Sequence, residues 1–276
     1  MTDLEVELLA EAVARHYGWD FRNYARASLR RRMLALVQEE GLANISSLQA
    51  LVLHDAQAFE RFRLGLTVHV TAMFRDPAYY VALRETVLPW LRTHPFVRLW
   101  VAGCASGEEA YSLAILLEEA KIYDRCRIYA TDLSEAMLDV ARTGIFPLAA
   151  MKGYSENYQK AKGLGDFSSY YTADATHALL RPALRRNMVF AHHSLVSDGV
   201  FNEFHMISCR NVMIYFDQTL QVRVHGLFRN SLVPRGALAL GSKEALRFSP
   251  HEDDYEDWVG AQRIYRLRVG QVDTQT

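Results

Sequence analysis

From about residue 96 the chain alternates apolar strand, short turn and amphipathic helix, and this order admits few folds: strands joined through helices lie parallel in one sheet. FVRLWVAGC reads as the first strand and GEEAYSLAILLEEAKIY as the helix after it. CRIYATD and SEAMLDVART repeat the unit. Further on, MVFAHHS, FHMISCR and ALALGSKE read as strands, with the helix DQTLQVRVHGLFRNSLV between the last two. RIYRLRV suits an antiparallel edge strand. Between Phe146 and Arg186 the alternation breaks into a stretch rich in Tyr and Gly, too long for a structureless loop in a compact domain, so an inserted subdomain is expected there.

Residues 3 to 65 carry helical periodicity and no strand-like alternation, which predicts a small all-α domain. In FRNYARASLRRRMLALVQEE, Ala25, Leu29, Met33 and Leu36 share one face, while Arg22, Arg26 and Arg30 line the opposite side. That basic side is either a solvated face or a docking strip for an acidic partner.

Composition narrows the class. With 276 residues, half of them apolar, the chain can bury a sizeable core, and a net charge of -1 gives no general pull toward nucleic acid. Cys104, Cys126 and Cys209 are too few and scattered for a disulfide framework or a zinc site, so a reducing, cytoplasmic setting and no metal are expected. The first residues lack the pattern of a secretory signal, and no apolar run reaches about 18 residues, so no membrane insertion is expected.

The turn after the first strand, AGCASGEEAYS, sets Gly103 and Gly107 around a short loop that lets backbone approach a ligand. A dinucleotide site would want G-x-G-x-x-G and helix amides facing a pyrophosphate. Glu108 and Glu109 stand at the helix start instead, where they would repel a pyrophosphate but suit a ligand carrying sulfonium and ammonium groups; plain helix-start charge complementarity also favours acids there. The second strand ends in Asp132, placed either to accept ribose hydroxyls or to cap the next helix. Together the two features favour an adenosyl ligand.

At these residues a family resemblance becomes specific. LWVAGCASGEEAYSLA, YATDLSEAMLDVA and SCRNVMIYFD resemble the signature blocks of the chemotaxis receptor methyltransferases, the CheR family, and TAMFRDP is similar to that family's linker block. The resemblance covers nearly the whole chain. It implies a class I, Rossmann-like methyltransferase fold dependent on S-adenosylmethionine, with a helical domain at 1–68, a linker with a cofactor-lining motif at 69–95 and the methyltransferase domain at 96–276, the insert falling at about 147–186. It also implies a cofactor site of His69, Thr71, Arg75, Gly103, Glu108, Asp132, Ser194, Leu195, Cys209 and Arg210. His69 and Ser194 stand where the family usually has Asn, Met73 replaces a Phe, Ala110 follows the acids in place of Pro, and GSKEAL stands for the usual G-H-S-E. The implied activity is methyl transfer to glutamate carboxylates of a chemoreceptor or related signalling protein, with S-adenosylhomocysteine as product, and the implied partner is an acidic helical cytoplasmic segment. A monomer is expected.

A glutamate is already ionised at neutral pH, its reference pKa being about 4.3, so its methylation needs alignment rather than a strong base. Arg75 and Tyr215 are the candidates to orient that carboxylate; an interdomain salt bridge and a packed aromatic are their plainer roles. Cys104 and Cys209 read as buried structural thiols, His192 and His193 as strand neighbours facing opposite ways, and HEDDYEDW as a solvated acidic loop. The rival classes are a cofactor-binding regulatory module without turnover, a nicotinamide oxidoreductase, which the missing third glycine disfavours, and a nucleic-acid methyltransferase, which the neutral charge disfavours.

Overall fold

In the computed structural model, which describes residues 2–66, 71–247 and 249–269, the chain forms two compact units. One comprises Met1–His69 with Met213–Arg223, the other Val70–Val212 with Val224–Thr276.

The first unit is built from α1 (Thr2–Tyr17), α2 (Arg26–Glu39), α3 (Ile45–His54) and α4 (Ala56–Leu66). Apolar residues at helical spacing close its core: Val6, Leu9 and Val13 of α1 meet Leu29, Met33 and Leu36 of α2, and Phe59 and Phe62 of α4 complete it. The helix expected from Phe21 begins only at Arg26, so Arg22 lies in the turn before α2, and the arginines of that turn and of α2 are matched by acids of α1. Arg30 pairs with Asp3 at 3.5 Å, Arg26 with Glu7 at 2.6 Å and Arg22 with Glu11 at 3.2 Å, Arg22 also reaching Asp20 at 2.8 Å. The strip seen in the sequence is therefore one rail of an interhelical ladder. Segment 213–223 joins this unit by an isolated bridge between Tyr24 and Phe216 and by the N–H of Ala25 donating to the Tyr215 carbonyl at 2.8 Å.

The second unit is organised by a seven-stranded sheet. In chain order its strands are β1 (Val97–Ala102), β2 (Cys126–Asp132), β6 (Met188–His192), β7 (Phe204–Cys209), β8 (Leu232–Leu240), β9 (Tyr255–Val259) and β10 (Ile264–Leu267). Between β2 and β6 lie β3 (Ile145–Pro147), β4 (Tyr171–Ala173) and β5 (His177–Leu180), which form a separate three-stranded antiparallel sheet in the order β3-β5-β4. The large sheet runs β6-β2-β1-β7-β8-β10-β9, parallel through its first five members and antiparallel at β10 and β9. RIYRLRV is antiparallel as expected, but it is not the edge. The acidic run 251–258, read as a loop, supplies β9, the true edge.

Side-chain alternation gives the sheet its two faces. Leu99, Val101, Ile128 and Ala130 belong to the core shared with α7 (Glu108–Glu119) and α8 (Glu135–Thr143). Trp100, turned the other way and fully buried, meets Phe204 and Phe228, and its indole N–H donates to Thr131 Oγ1 at 2.8 Å. Truncating such a residue removes about 3 to 5 kcal/mol. The segment expected as a linker is largely helical, with α5 (Pro77–Ala82), a π-helical turn (Leu83–Val87) and α6 (Leu88–Leu91) packed in the core.

The insert carries α9 (Leu148–Lys160) against its small sheet. Glu119, at the end of α7, ties it down: the carboxylate accepts from the Tyr158 and Tyr170 hydroxyls and the Leu164 N–H, and pairs with Arg84. Among the described residues no helix is long and apolar enough to cross a membrane, and no group of three or more His, Cys, Asp and Glu is placed to hold a metal ion.

Candidate active site

The strand order reverses at β1: the chain proceeds outward through β2 and β6, then returns to the other side of β1 as β7. A doubly wound sheet binds its ligand in the crevice outside the carboxyl ends of the strands at that switch. Asp132 closes β2, and Gly103, Ser194 and Arg210 follow the ends of β1, β6 and β7.

Backbone geometry is unusual throughout this region. Gly103 and Gly107 have φ of 74° and 94°, and non-glycine residues with positive φ cluster beside them: Phe74 at 52°, Asp76 at 58°, Ala105 at 47° and Asn211 at 62°. Each such residue carries a conformational cost and persists only where its surroundings hold it. A Cβ on Gly103 would lie 2.5 Å from Val212 Cγ2, so the turn after β1 and the loop after β7 pack too closely for a side chain between them.

Asp132 joins two turns. Its Oδ2 accepts the N–H of Ala105 and its Oδ1 that of Ser134, both at 2.8 Å. Helix capping itself falls to Ser134, whose hydroxyl accepts from the Met137 N–H at 3.4 Å. Each Asp132 oxygen thus keeps a lone pair for a ligand hydroxyl.

Glu108 opens α7 and is only 5% exposed. Ser106 donates to its Oε2 at 2.7 Å and Tyr154 of the insert to its Oε1 at 3.2 Å. Burial raises its pKa, and these hydroxyls only partly oppose the shift. A cationic ligand here would oppose that shift, because a nearby positive charge favours the ionised carboxylate.

Glu109, read in the sequence as a second ligand acid, is engaged elsewhere. It accepts from the Ser208 hydroxyl and from Arg210 Nη1, the latter at 3.3 Å. Arg210, buried, reaches Asp76 with Nη2 at 2.7 Å, contacts the Arg75 carbonyl at 3.4 Å, and lies 3.9 Å over the Tyr79 ring. The Phe74 N–H donates to Ser112 Oγ at 2.9 Å. These contacts tie segment 73–76 to α7 and to the buried Arg210 just after β7, the exposed Asp76 supplying the charge-assisted bond.

Ser194 and Leu195 are buried just beyond β6, where the N–H of His193 donates to the Asp132 carbonyl at 3.2 Å. The Ser194 hydroxyl accepts from the Ser197 N–H at 3.3 Å. Thr71 and Arg75 are half-buried in the segment leading to α5. Cys209 ends β7 fully buried, and burial raises its thiol and that of Cys104 well above the usual range. Tyr215 belongs to the helical unit, its ring 4.7 Å beneath the Arg32 guanidinium. His69 lies outside the described residues.

The sequence did not mark the roles of Ser112, Tyr154 and Glu244. Their partners are a linker amide, a helix-start acid and loop amides, which no local motif announces. The donor set suits an adenosyl cofactor: a carboxylate at the end of β2 with lone pairs to spare, a buried carboxylate after β1, and glycine-lined backbone between them.

A mostly parallel sheet in this order is that of a class I methyltransferase, and comparison with known families agrees. The model described as "CheR methyltransferase, all-alpha domain" matches residues 4–67, and "CheR methyltransferase, SAM binding domain" matches residues 69–263. The chain belongs to the CheR methyltransferase family and carries its S-adenosylmethionine-binding domain. It is 48% identical to the "Putative methyltransferase Cher3" of Pseudomonas putida, over 96% of this chain and 97% of that protein. It is 31% identical to "Chemotaxis protein methyltransferase 1" of Pseudomonas aeruginosa, covering 82% and 83%, and 30% identical to the "Chemotaxis protein methyltransferase" of Listeria innocua, covering 88% and 92%.

Proposed function

We propose that this chain transfers a methyl group from S-adenosylmethionine to glutamate side chains of a chemoreceptor or related signalling protein, giving glutamyl methyl esters and S-adenosylhomocysteine. The observation that carries the reading is the fixing of Arg75 between two left-handed residues, Phe74 and Asp76, with its carbonyl against Arg210 at the end of β7. Strain of this kind at a strand-end crevice is a signature of a built site, and a guanidinium is the side chain best suited to hold an incoming carboxylate.

Within this reading Asp132 accepts the ribose hydroxyls and Glu108 faces the cationic end of the cofactor. Gly103 supplies close backbone approach, while Ser194 and Leu195 border the adenine. Thr71 completes the lining, and Cys209 and Arg210 bound the methyl end. When bound, the cofactor supplies an electrophilic methyl carbon on a sulfonium. Arg75 orients the acceptor carboxylate so that one oxygen is held and the other attacks. No proton moves: a carboxylate oxygen gains the carbon as the carbon–sulfur bond breaks, and the opposite charges cancel. The remaining task of the surrounding side chains is to exclude water.

The partner in this reading is an acidic helical receptor segment in the cytoplasm, met by a monomer. Chemotaxis methyltransferase relatives support the receptor class. Incubating the full chain with labelled S-adenosylmethionine and receptor cytoplasmic domains should transfer base-labile label to glutamates. Arg75→Ala should lower turnover more than it lowers S-adenosylhomocysteine affinity. Cofactor binding with no transfer to any receptor domain would reject the enzyme in favour of a regulatory module.

A further inference from the structure

Glu244, just beyond β8, is buried, and its carboxylate accepts three backbone N–H groups. Oε2 takes those of Gly241 at 2.6 Å and Asn211 at 3.0 Å, and Oε1 takes that of Val212 at 2.8 Å. Two of these amides belong to the loop after β7, brought alongside by the pairing of Cys209 with Leu240. They frame the left-handed Asn211, a conformation that must be held from outside. Val212, fixed by the same carboxylate, is the residue that abuts Gly103.

We propose that Glu244 is a positioning residue for methyl transfer: it clamps loop 210–212 and, through Val212, sets the Gly103 turn against the reacting end of the site. This rests on the reading that the strand ends hold S-adenosylmethionine. The chemistry requires a carboxylate. Three N–H donors converge on two oxygens, and an amide would turn an NH2 toward at least one of them in either orientation, while aspartate is one methylene too short. Glutamate here makes no contact with the substrate; it acts through the loop.

The test uses Glu244→Gln in the full chain. Exchange of the Asn211 and Val212 amides should speed up by about tenfold or more, with amides of β1 and β2 unchanged, because losing a charge-assisted acceptor leaves those donors buried and unpaired. kcat for receptor methylation should fall by about tenfold while S-adenosylhomocysteine affinity changes much less, since the ribose contact at Asp132 is untouched. Should Glu244→Gln fail to fold, Val212→Ala keeps the clamp and removes only its contact with the Gly103 turn; it should lower kcat with the 211–212 amides still protected. Wild-type kcat in either variant, or equal losses of kcat and cofactor affinity, would overturn the proposal. A wild-type chain that binds no S-adenosylhomocysteine would overturn the function reading, whatever the exchange data show.

Discussion

Tyr154, on the helix of the insert, donates its hydroxyl to Oε1 of Glu108 across 3.2 Å, so the inserted lobe reaches the first turn of α7. It helps to bury that acid, and burial favours the protonated form of Glu108 in the fold. Stability therefore declines as pH rises from the ordinary carboxylate range through the raised pKa, because the unfolded chain ionises without that cost.

Glu108→Gln should accordingly raise the thermal midpoint of the free protein, with a larger gain at pH 8 than at pH 5, and at the same time weaken S-adenosylhomocysteine binding by about tenfold. Melting curves and calorimetry on one preparation measure both. A variant that is both less stable and a normal binder would show that this carboxylate does not face the cofactor.

Asp132 ties two turns of the fold together and, in the proposed function, also holds the ribose; two substitutions separate these roles. Asp132→Ala strips the acceptor from the Ala105 and Ser134 amides and should cost about 1 to 3 kcal/mol of stability, along with about tenfold or more in affinity. Asp132→Asn keeps one oxygen and should fold better while still binding poorly. Normal binding by Asp132→Asn would remove it from the ribose.

The ladder between α1 and α2 gives a charge-swap test. Reversing Arg22, Arg26 and Arg30 to glutamate sets acids against Asp3, Glu7 and Glu11 and should lower the thermal midpoint, more at low salt than at high. Changing the three α1 acids to lysine in that background should restore it. If the strip also docks an acidic substrate, the restored protein keeps a raised Michaelis constant; a normal constant leaves the arginines a purely internal role.

His205 and His225 make the protein acid-sensitive. Burial pushes each down to about 4, His205 further lowered by His94 and Arg98 and His225 by His251. The Arg98 N–H donates to His205 Nδ1 at 3.1 Å, which requires a neutral ring. Unfolded histidine takes a proton near 6.5 and these do not, so stability is full above that pH and falls toward pH 4 by up to about 1.4 kcal/mol per pH unit for each linked proton. Urea midpoints should drop between pH 7 and 5, and His205→Gln should flatten the slope.

Much of this fold is legible in the sequence because its signals are local. β2 coincides with CRIYATD, and Ser134 sits where a helix cap should. What escaped reading depends on neighbours in space. The α2 arginines find their partners on α1, and Glu109 meets Arg210 only because β1 and β7 adjoin. Glu244 binds amides delivered by the register of β7 and β8. The run 251–258 looked like a loop because its charges mask the apolar alternation; only pairing with β10 makes residues 255–259 a strand.

That edge strand has a consequence for the protein in concentrated solution. Among the described residues no strand lies on the outer side of β9, and such an edge is the kind of template on which sheets of separate molecules can join. Glu256 and Asp257, both exposed, stand on it next to one another, so any strand seeking to add there would have to strip water from carboxylates facing both sides. The acidity that hid β9 in the sequence thus guards the molecule against edge-to-edge aggregation, and exchanging the pair for valine and threonine would expose a sticky margin.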